Sequence, residues 1–539
     1  MLSVAGEPLC LIHILFPTPC QMPSLRVFLK DMIIQHPRAK RTRDQVKQAK
    51  FKRPKIKAAV LNDESLILML PKKDIVDHHV KLYVENFENL FRVLHLPSFH
   101  SEYEKLWTSP EETGPMFKVH VMLMVAATYC LPDSGEAKGV GVDTALLPAA
   151  QDTACYWIEE CEIWLEAQSQ KHATLAYFQA QCLLHIAKTM QSFKAKRSWT
   201  AAGALLSFAL TKGFHRNAEI VNQQQGDDPK IRISCFAQEM RRRLWSTIVE
   251  LEMQAAVERG MPASLPDLIT DCGSPANCDD EYLHLGLERE APSFPENIYT
   301  RTSYQAIASR SVQLRQQLLC VINGAVVPDE GEFRNLCDGL EDHLNNLPTW
   351  DSSQSSVSSA LLRLQLLELI MYLHRTDQPG GCAQIHWSNA LHVRAAKSML
   401  DIHQSLIATK HFVLTIFRQD VVSAALGICY DFETTKSLPR NLLSVDINHL
   451  AYLATALSIL GQKIDWMGVG MKAYYIIAAC EGLVKKSRDH AGNQAVLAAE
   501  GVVVLMDKLL VRLKESQNVS VAKTLSTGVS AAIQHQTPF

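Results

Sequence analysis

From about residue 75 to residue 514, apolar side chains recur three and four positions apart, and strand-like alternation is rare. That spacing gathers them on one face of a 3.6-residue helix, so the chain must fold by packing helix on helix. The pattern predicts helices over 116–130, 146–166, 172–190, 199–212, 233–258, 299–321, 356–374, 386–407, 446–462 and 471–514. Breaks rich in Gly, Pro, Ser and Asp fall at 131–142, 217–231, 260–298, 348–358 and 375–385. Only 7% of residues are aromatic while Leu and Ala abound, which favours packed helices over sheets. The expected fold is all-α, with one large multi-helix domain over 75–514. No fixed repeat is visible, which disfavours a regular solenoid.

The ends differ from the body. Residues 1–60 carry 12 Lys/Arg against Glu7, Asp31 and Asp44. Ten of those bases lie at 38–57: Arg38, Lys40, Arg41, Arg43, Lys47, Lys50, Lys52, Arg53, Lys55 and Lys57. Such a run cannot bury enough apolar surface to fold alone, so 1–60 is expected to be a weakly ordered basic arm. It suits a nuclear import signal or contacts to a phosphate backbone, and equally a solvated tail. Residues 42–57 hold too few apolar residues for a coiled coil. Residues 515–539 are polar and expected to be a loose tail. The 14 cysteines are scattered through apolar stretches, which fits a reducing compartment. No run of about 18 apolar residues stands out, so no membrane span is expected.

Two helix ends can be read directly. Helix 199–212 is closed by Gly213, and helix 233–258 by Gly260 with Pro262 beyond it. Gly203 sits mid-helix, which predicts close approach of a neighbouring helix. Glu239 and Arg243, four apart, can pair along one helix face, with Leu244 and Trp245 turned inward. Arg241, Arg242 and Arg243 are expected to pin crossing loops by contacts to carboxylates and carbonyls.

These residues carry a resemblance. The order Tyr83–Phe91, Leu94-His-Leu-Pro-Ser-Phe99, Trp199-Thr-Ala-Ala-Gly203, Gly213-Phe-His-Arg216, Glu239-Met-Arg-Arg-Arg-Leu-Trp245, Gly260-Met-Pro262 and Asn277-Cys-Asp-Asp-Glu281 resembles the middle homology region of fungal zinc-cluster transcription factors. Leu373-His-Arg375 and Ala395-Ala396 extend the likeness. It implies an all-helical regulatory domain, with Trp199, Gly203, Gly213, His215, Arg216, Glu239, Arg241, Arg242, Arg243, Leu244, Trp245, Gly260 and Pro262 as structural motif residues. It further implies a regulator in a fungal nucleus, controlling a specialised-metabolite gene cluster, with DNA reached directly or through a partner transcription factor and with a small-molecule effector.

The family's DNA-binding module needs six cysteines around two zinc ions. Only Cys10 and Cys20 precede the helical body here, and two thiols cannot close one tetrahedral site. Zinc is therefore expected only if a cysteine cluster lies upstream of Met1, and otherwise no cofactor. Cys272 and Cys278 lie beside Asp279 and Asp280 and read as an ordinary loop rather than a metal site. No phosphate loop, metalloprotease helix or nucleophile elbow is present, so no enzyme is expected. The alternative reading is a small-molecule-sensing or partner-binding helical protein without direct DNA contact.

Overall fold

The computed structural model describes residues 22–51, 69–132, 147–225, 232–264, 270–323, 328–351, 353–373, 382–435, 448–488 and 491–534. Among these residues there are nineteen α-helices and no strand. They are α1 (Pro23–Gln35), α2 (Pro37–Phe51), α3 (Lys73–Asn86), α4 (Leu96–Thr108), α5 (Pro115–Thr128), α6 (Leu147–Glu166), α7 (Leu175–Met190), α8 (Ser198–Thr211), α9 (Ala218–Gln225) and α10 (Cys235–Arg259). There follow α11 (Ser303–Asn323), α12 (Glu330–Asn345), α13 (Ser356–Leu373), α14 (Cys382–Ala408), α15 (Val413–Phe417), α16 (Asp420–Thr435), α17 (His449–Met467), α18 (Met471–Ser487) and α19 (Gln494–Gln534).

Three helices form the centre. In α5 every residue from Lys118 to Thr128 is buried, and α13 is almost as enclosed. A helix apolar all round belongs inside a large core. α13 is also long and apolar enough to cross a membrane, contrary to the sequence expectation, but 78% of it is buried against the other helices. Arg363 and Glu368 within it interrupt the apolar run in the sequence. The third is α10, whose buried face holds Glu239, Arg243, Glu250 and Glu252 among its apolar residues. α5 packs on α3, α6 and α7; α10 on α7, α8 and α11; α13 on α11, α12 and α14.

The structure departs from the expected pattern in several places. The expected helix 471–514 is two helices, broken at 488–493, where Gly492 takes a left-handed conformation (φ 92°). Inside the expected break 217–231 lies the short helix α9. The helices α12 and α16 fall outside the expected set; α12 starts on a capping box in which Asp329 accepts from Glu332 N at 2.8 Å. The backbone of α19 runs on as helix through much of the segment expected to be a loose tail.

Within the basic arm, α1 and α2 are helical. Leu25, Phe28 and Met32 of α1 are buried against α18 and α19, and Tyr475 Oη donates to Leu29 O at 3.2 Å. A β-carbon on Gly482 would stand 2.7 Å from Phe28, so the missing side chain makes the seat for that ring. In α2, Ala39, Thr42, Val46 and Ala49 form one buried stripe that lies on α19. This stretch packs on the C-terminal helices.

Candidate functional site

Two regions carry the residues singled out by sequence: the basic face of α2, and the helix α10 with the loop 270–298 wrapped over it.

On α2, Arg38, Lys40, Arg41 and Lys47 are exposed, opposite the buried stripe, and Arg43 is half-buried. Arg38 pairs with Asp507 of α19 at 2.8 Å and Arg43 with Asp44 at 3.4 Å, both near the surface. Such pairs contribute at most about 1 kcal/mol. Lys40, Arg41 and Lys47 stay open to an anionic partner. Lys50 continues the helix, and Lys52, Arg53, Lys55 and Lys57 lie outside the described residues.

On α10 the three arginines go to three different places, because successive helical positions point about 100° apart. Arg241 Nη2 donates to the carbonyls of Lys212 and Gly213 at 3.0 and 2.8 Å, and its guanidinium lies 4.4 Å from the Phe214 ring centre. It thus holds the end of α8, where Gly213 takes φ 67°. Arg242 donates to Cys272 O at 3.2 Å and pairs with Glu290 at 2.8 Å, which fastens both ends of the loop. Arg243 turns into the core. It pairs with Glu239 at 3.0 Å, as the four-residue spacing predicts, and with Asp280 at 2.5 Å.

Asp280 is the centre of a buried ion cluster. The same Oδ1 also meets Arg92, and Oδ2 accepts from Leu96 N at 2.8 Å. Both arginines are fully enclosed. Burial alone would raise the Asp280 carboxyl, but Arg92 and Arg243 together hold it well below the usual carboxylate range. Glu88, equally enclosed, is instead pushed up to about 8 by burial in spite of Arg92 beside it. The adjoining loop is satisfied residue by residue. Asn277 Nδ2 donates to the carbonyls of Phe294, Pro295 and Ile298, while its Oδ1 accepts from Thr300 and Ser303. Asp279 accepts from Arg301 N at 2.8 Å. The acidic loop is therefore occupied by protein donors. Burial raises the Cys272 thiol to about 12, which suits an inert thiol rather than a metal ligand. Among the described residues no group of three or more His, Cys, Asp or Glu is placed to hold a metal ion.

The remaining motif residues have structural surroundings. Gly260 closes α10 at φ 64°, with Pro262 exposed just beyond. Leu244 and Trp245 are buried. His215 packs on Trp245, with Nδ1 buried and unpartnered, and its carbonyl accepts from Asp271 N at 3.0 Å. Burial lowers its imidazole pKa. Arg216 pairs with Asp271 at 3.1 Å. Trp199 packs partly buried on the core. Gly203 does not serve a tight helix contact: a β-carbon there would meet Ser264 Oγ at 3.5 Å, an ordinary distance. Of Leu373-His-Arg375, only Leu373 lies within the described residues.

Two further buried ion clusters are not legible in the sequence. Arg315 grips Glu250 with both arms, at 2.5 and 3.0 Å, under Tyr304 and Gln365. Arg418 pairs with Asp420 at 2.6 Å and Glu368 at 2.5 Å, and His403 meets the other oxygen of Asp420 at 2.8 Å. Arg418 also donates to Gln254 of α10. Asp420 lies two residues from Arg418, but Gln254 of α10, Glu368 of α13 and His403 of α14 come from distant parts of the chain, a convergence that no local spacing could announce.

Comparison with known proteins follows the same residues. Residues 80–308 match the family described as fungal specific transcription factor domain. The chain is 28% identical to transcription factor lepE of Aspergillus flavus over 307 residues, 56% of this chain and 35% of that protein. It is 28% identical to transcription factor opdR of Penicillium oxalicum over 48% of this chain and 30% of that one. A third relative, the equisetin cluster transcription factor eqxF of Fusarium heterosporum, is 24% identical over 80% of this chain and 65% of that one. The matched stretch thus spans about a third of the length of the first two relatives. No solved structure matches.

Proposed function

We propose that this chain, which carries a fungal specific transcription factor domain at residues 80–308, regulates transcription of a specialised-metabolite gene cluster in a fungal nucleus. The observation that carries the reading is the domain match together with relatives named as transcription factors, one of them of the equisetin cluster. A control and interaction role suits the helical body, because its charged motif residues are spent on holding loops and helix ends together. Arg241, Arg242 and Arg243 hold loops, and none is left to act on a substrate. The match to a transcription factor family supports a regulator rather than an enzyme.

The basic face of α2 is the surface best suited to meet DNA phosphates or an import receptor. Phosphate contacts alone position a protein without reading sequence. Target choice in this reading therefore comes from a base-reading element, in this protein or in a partner transcription factor. Chromatin occupancy of the tagged full chain tests the proposal. The expected result is enrichment at promoters within one contiguous biosynthetic gene cluster. Enrichment that vanishes when a partner factor is deleted assigns DNA reading to the partner. A protein excluded from the nucleus, or with no enrichment anywhere, overturns the reading.

A further inference from the structure

A cavity of about 450 Å³ opens between α6, α7, α8, α10 and the segment that joins α15 to α16. Its volume lies within the range of small-molecule sites. The apolar part of its lining comes from Leu251 and Ala255 of α10 and Phe417 of α15, all buried in the fold. The polar part is unevenly balanced. Lys188 and Lys194 also line the cavity, but both pair with Glu162 and Lys194 pairs with Glu159 as well, so their charges are answered. Glu258 accepts from Gln254 Nε2 at 2.8 Å. Arg197, exposed, and Arg259, half-buried, line the same cavity, and their side chains form no ion pair or hydrogen bond with any described residue. His185 is 8% exposed, lines the cavity, and makes no hydrogen bond through its ring to the described residues. Burial, aided by Lys188, lowers that imidazole to about 4, so at neutral pH it is a neutral ring with one N–H to donate.

The rim is strained. Ser192 and Lys194 take positive φ of 50° and 51°, two of the three non-glycine residues that do so among the described residues. Backbone held in that region costs about 1–3 kcal/mol per residue and gathers at ligand clamps.

We propose that this cavity binds an organic acid, its apolar body on Leu251, Ala255 and Phe417 and its carboxylate between Arg197, Arg259 and the His185 ring. Two unpaired guanidinium groups beside an apolar floor select a carboxylate on a hydrophobic frame over a neutral or purely polar solute. The site also has a route to the rest of the fold. Gln254, in its wall, accepts from Arg418, whose partners Glu368 and Asp420 belong to α13 and α16. A bound acid would clamp the 191–197 rim against α10 and bias that joint. The inference rests on the regulatory reading only for what the ligand controls; binding stands or falls by itself.

The test uses the purified full chain and two probes of one shape, 2-naphthoate and its uncharged amide, in titration calorimetry and thermal melts. The expected result is that naphthoate binds and raises the melting temperature, with the amide about tenfold or more weaker, the loss typical of a missing charge-assisted contact. Arg197→Ala and Arg259→Ala each weaken naphthoate by about tenfold, leave amide binding little changed, and leave the unliganded melting temperature unchanged. Ala201→Trp, at the rim, removes binding of both probes while the circular dichroism spectrum stays helical. Equal affinity for acid and amide, arginine variants that bind naphthoate like the parent, or no binding of naphthoate at millimolar concentration each overturn the proposal. Loss of binding without a transcriptional effect, or the reverse, separates this inference from the regulatory reading.

Discussion

Replacing Asp280 by Asn keeps the shape of the side chain and removes one charge from the centre of the buried cluster. Arg92 and Arg243 are fully enclosed and both meet Asp280. Their other acidic neighbours are Glu88 beside Arg92 and Glu239 beside Arg243. Burial pushes Glu88 up to about 8, which leaves it mostly protonated at neutral pH, and burial also raises Glu239. Asp280 is the carboxylate that meets both desolvated guanidinium groups. Removing one partner from a buried pair costs about 3–5 kcal/mol, because the remaining charge is left unanswered. That is a large part of the roughly 5–15 kcal/mol that holds a domain folded. The control is Asp271→Asn, which weakens the exposed pair with Arg216 and should cost no more than about 1 kcal/mol. Urea titration followed by circular dichroism, with limited proteolysis of 270–298, reads both. Asp280→Asn should shift the first transition to much lower urea and open the loop to cleavage. The same carboxyl is depressed in the folded state. Its contribution is present above the unfolded value of about 3.9 and is lost as pH falls through the lower folded value. Between pH 7 and 5 it should stay intact, and on further acidification the parent should approach the variant. If Asp280→Asn is no more destabilising than Asp271→Asn, the cluster does not lock the loop to α10 and the reasoning fails.

Three further outcomes follow from individual positions. Gly213→Ala should cost about 1 kcal/mol, since φ is 67° there, whereas Gly203→Ala should be neutral or stabilise by up to about 1 kcal/mol, with melting temperatures reading both. Gly482→Ala should displace the Phe28 ring and release α1, seen as faster proteolysis within 22–51 while the rest of the protein resists. Lys40→Glu, Arg41→Glu and Lys47→Glu together should change stability by no more than about 0.5 kcal/mol each. If that face meets DNA, the same triple variant should flatten the salt dependence of binding by about 0.9 for each phosphate that the protein no longer neutralises, as measured by fluorescence anisotropy at several salt concentrations.

How far the sequence can be read depends on whether a feature is local. Gly213 and Gly260 closing their helices, and Glu239 pairing with Arg243, follow from spacing within one turn, and all are present. The division of labour among Arg241, Arg242 and Arg243 is half local. Their helical offset sends them apart, but Lys212, Glu290 and Asp280 are reached only through tertiary folding. Arg418 lies largely beyond local reach, because only Asp420 is near it in sequence, while Gln254 and Glu368 meet it from distant helices. The helices Pro23–Gln35 and Pro37–Phe51 within the basic arm are beyond local reach for the same reason. The buried stripe of Ala39, Thr42, Val46 and Ala49 is too weakly apolar to announce a docked helix without α19 beside it. Gly203 misleads in the other direction, since a mid-helix glycine need not mark a tight contact.

The most direct measurement of the central claim is a transcript profile of a strain lacking this gene, compared with its parent under conditions that induce specialised metabolism. The account predicts a coordinated change confined largely to one contiguous set of biosynthetic genes, restored by the parent chain and not by the Asp280→Asn variant. An unchanged profile, or changes scattered across the genome with no shared cluster, would contradict it.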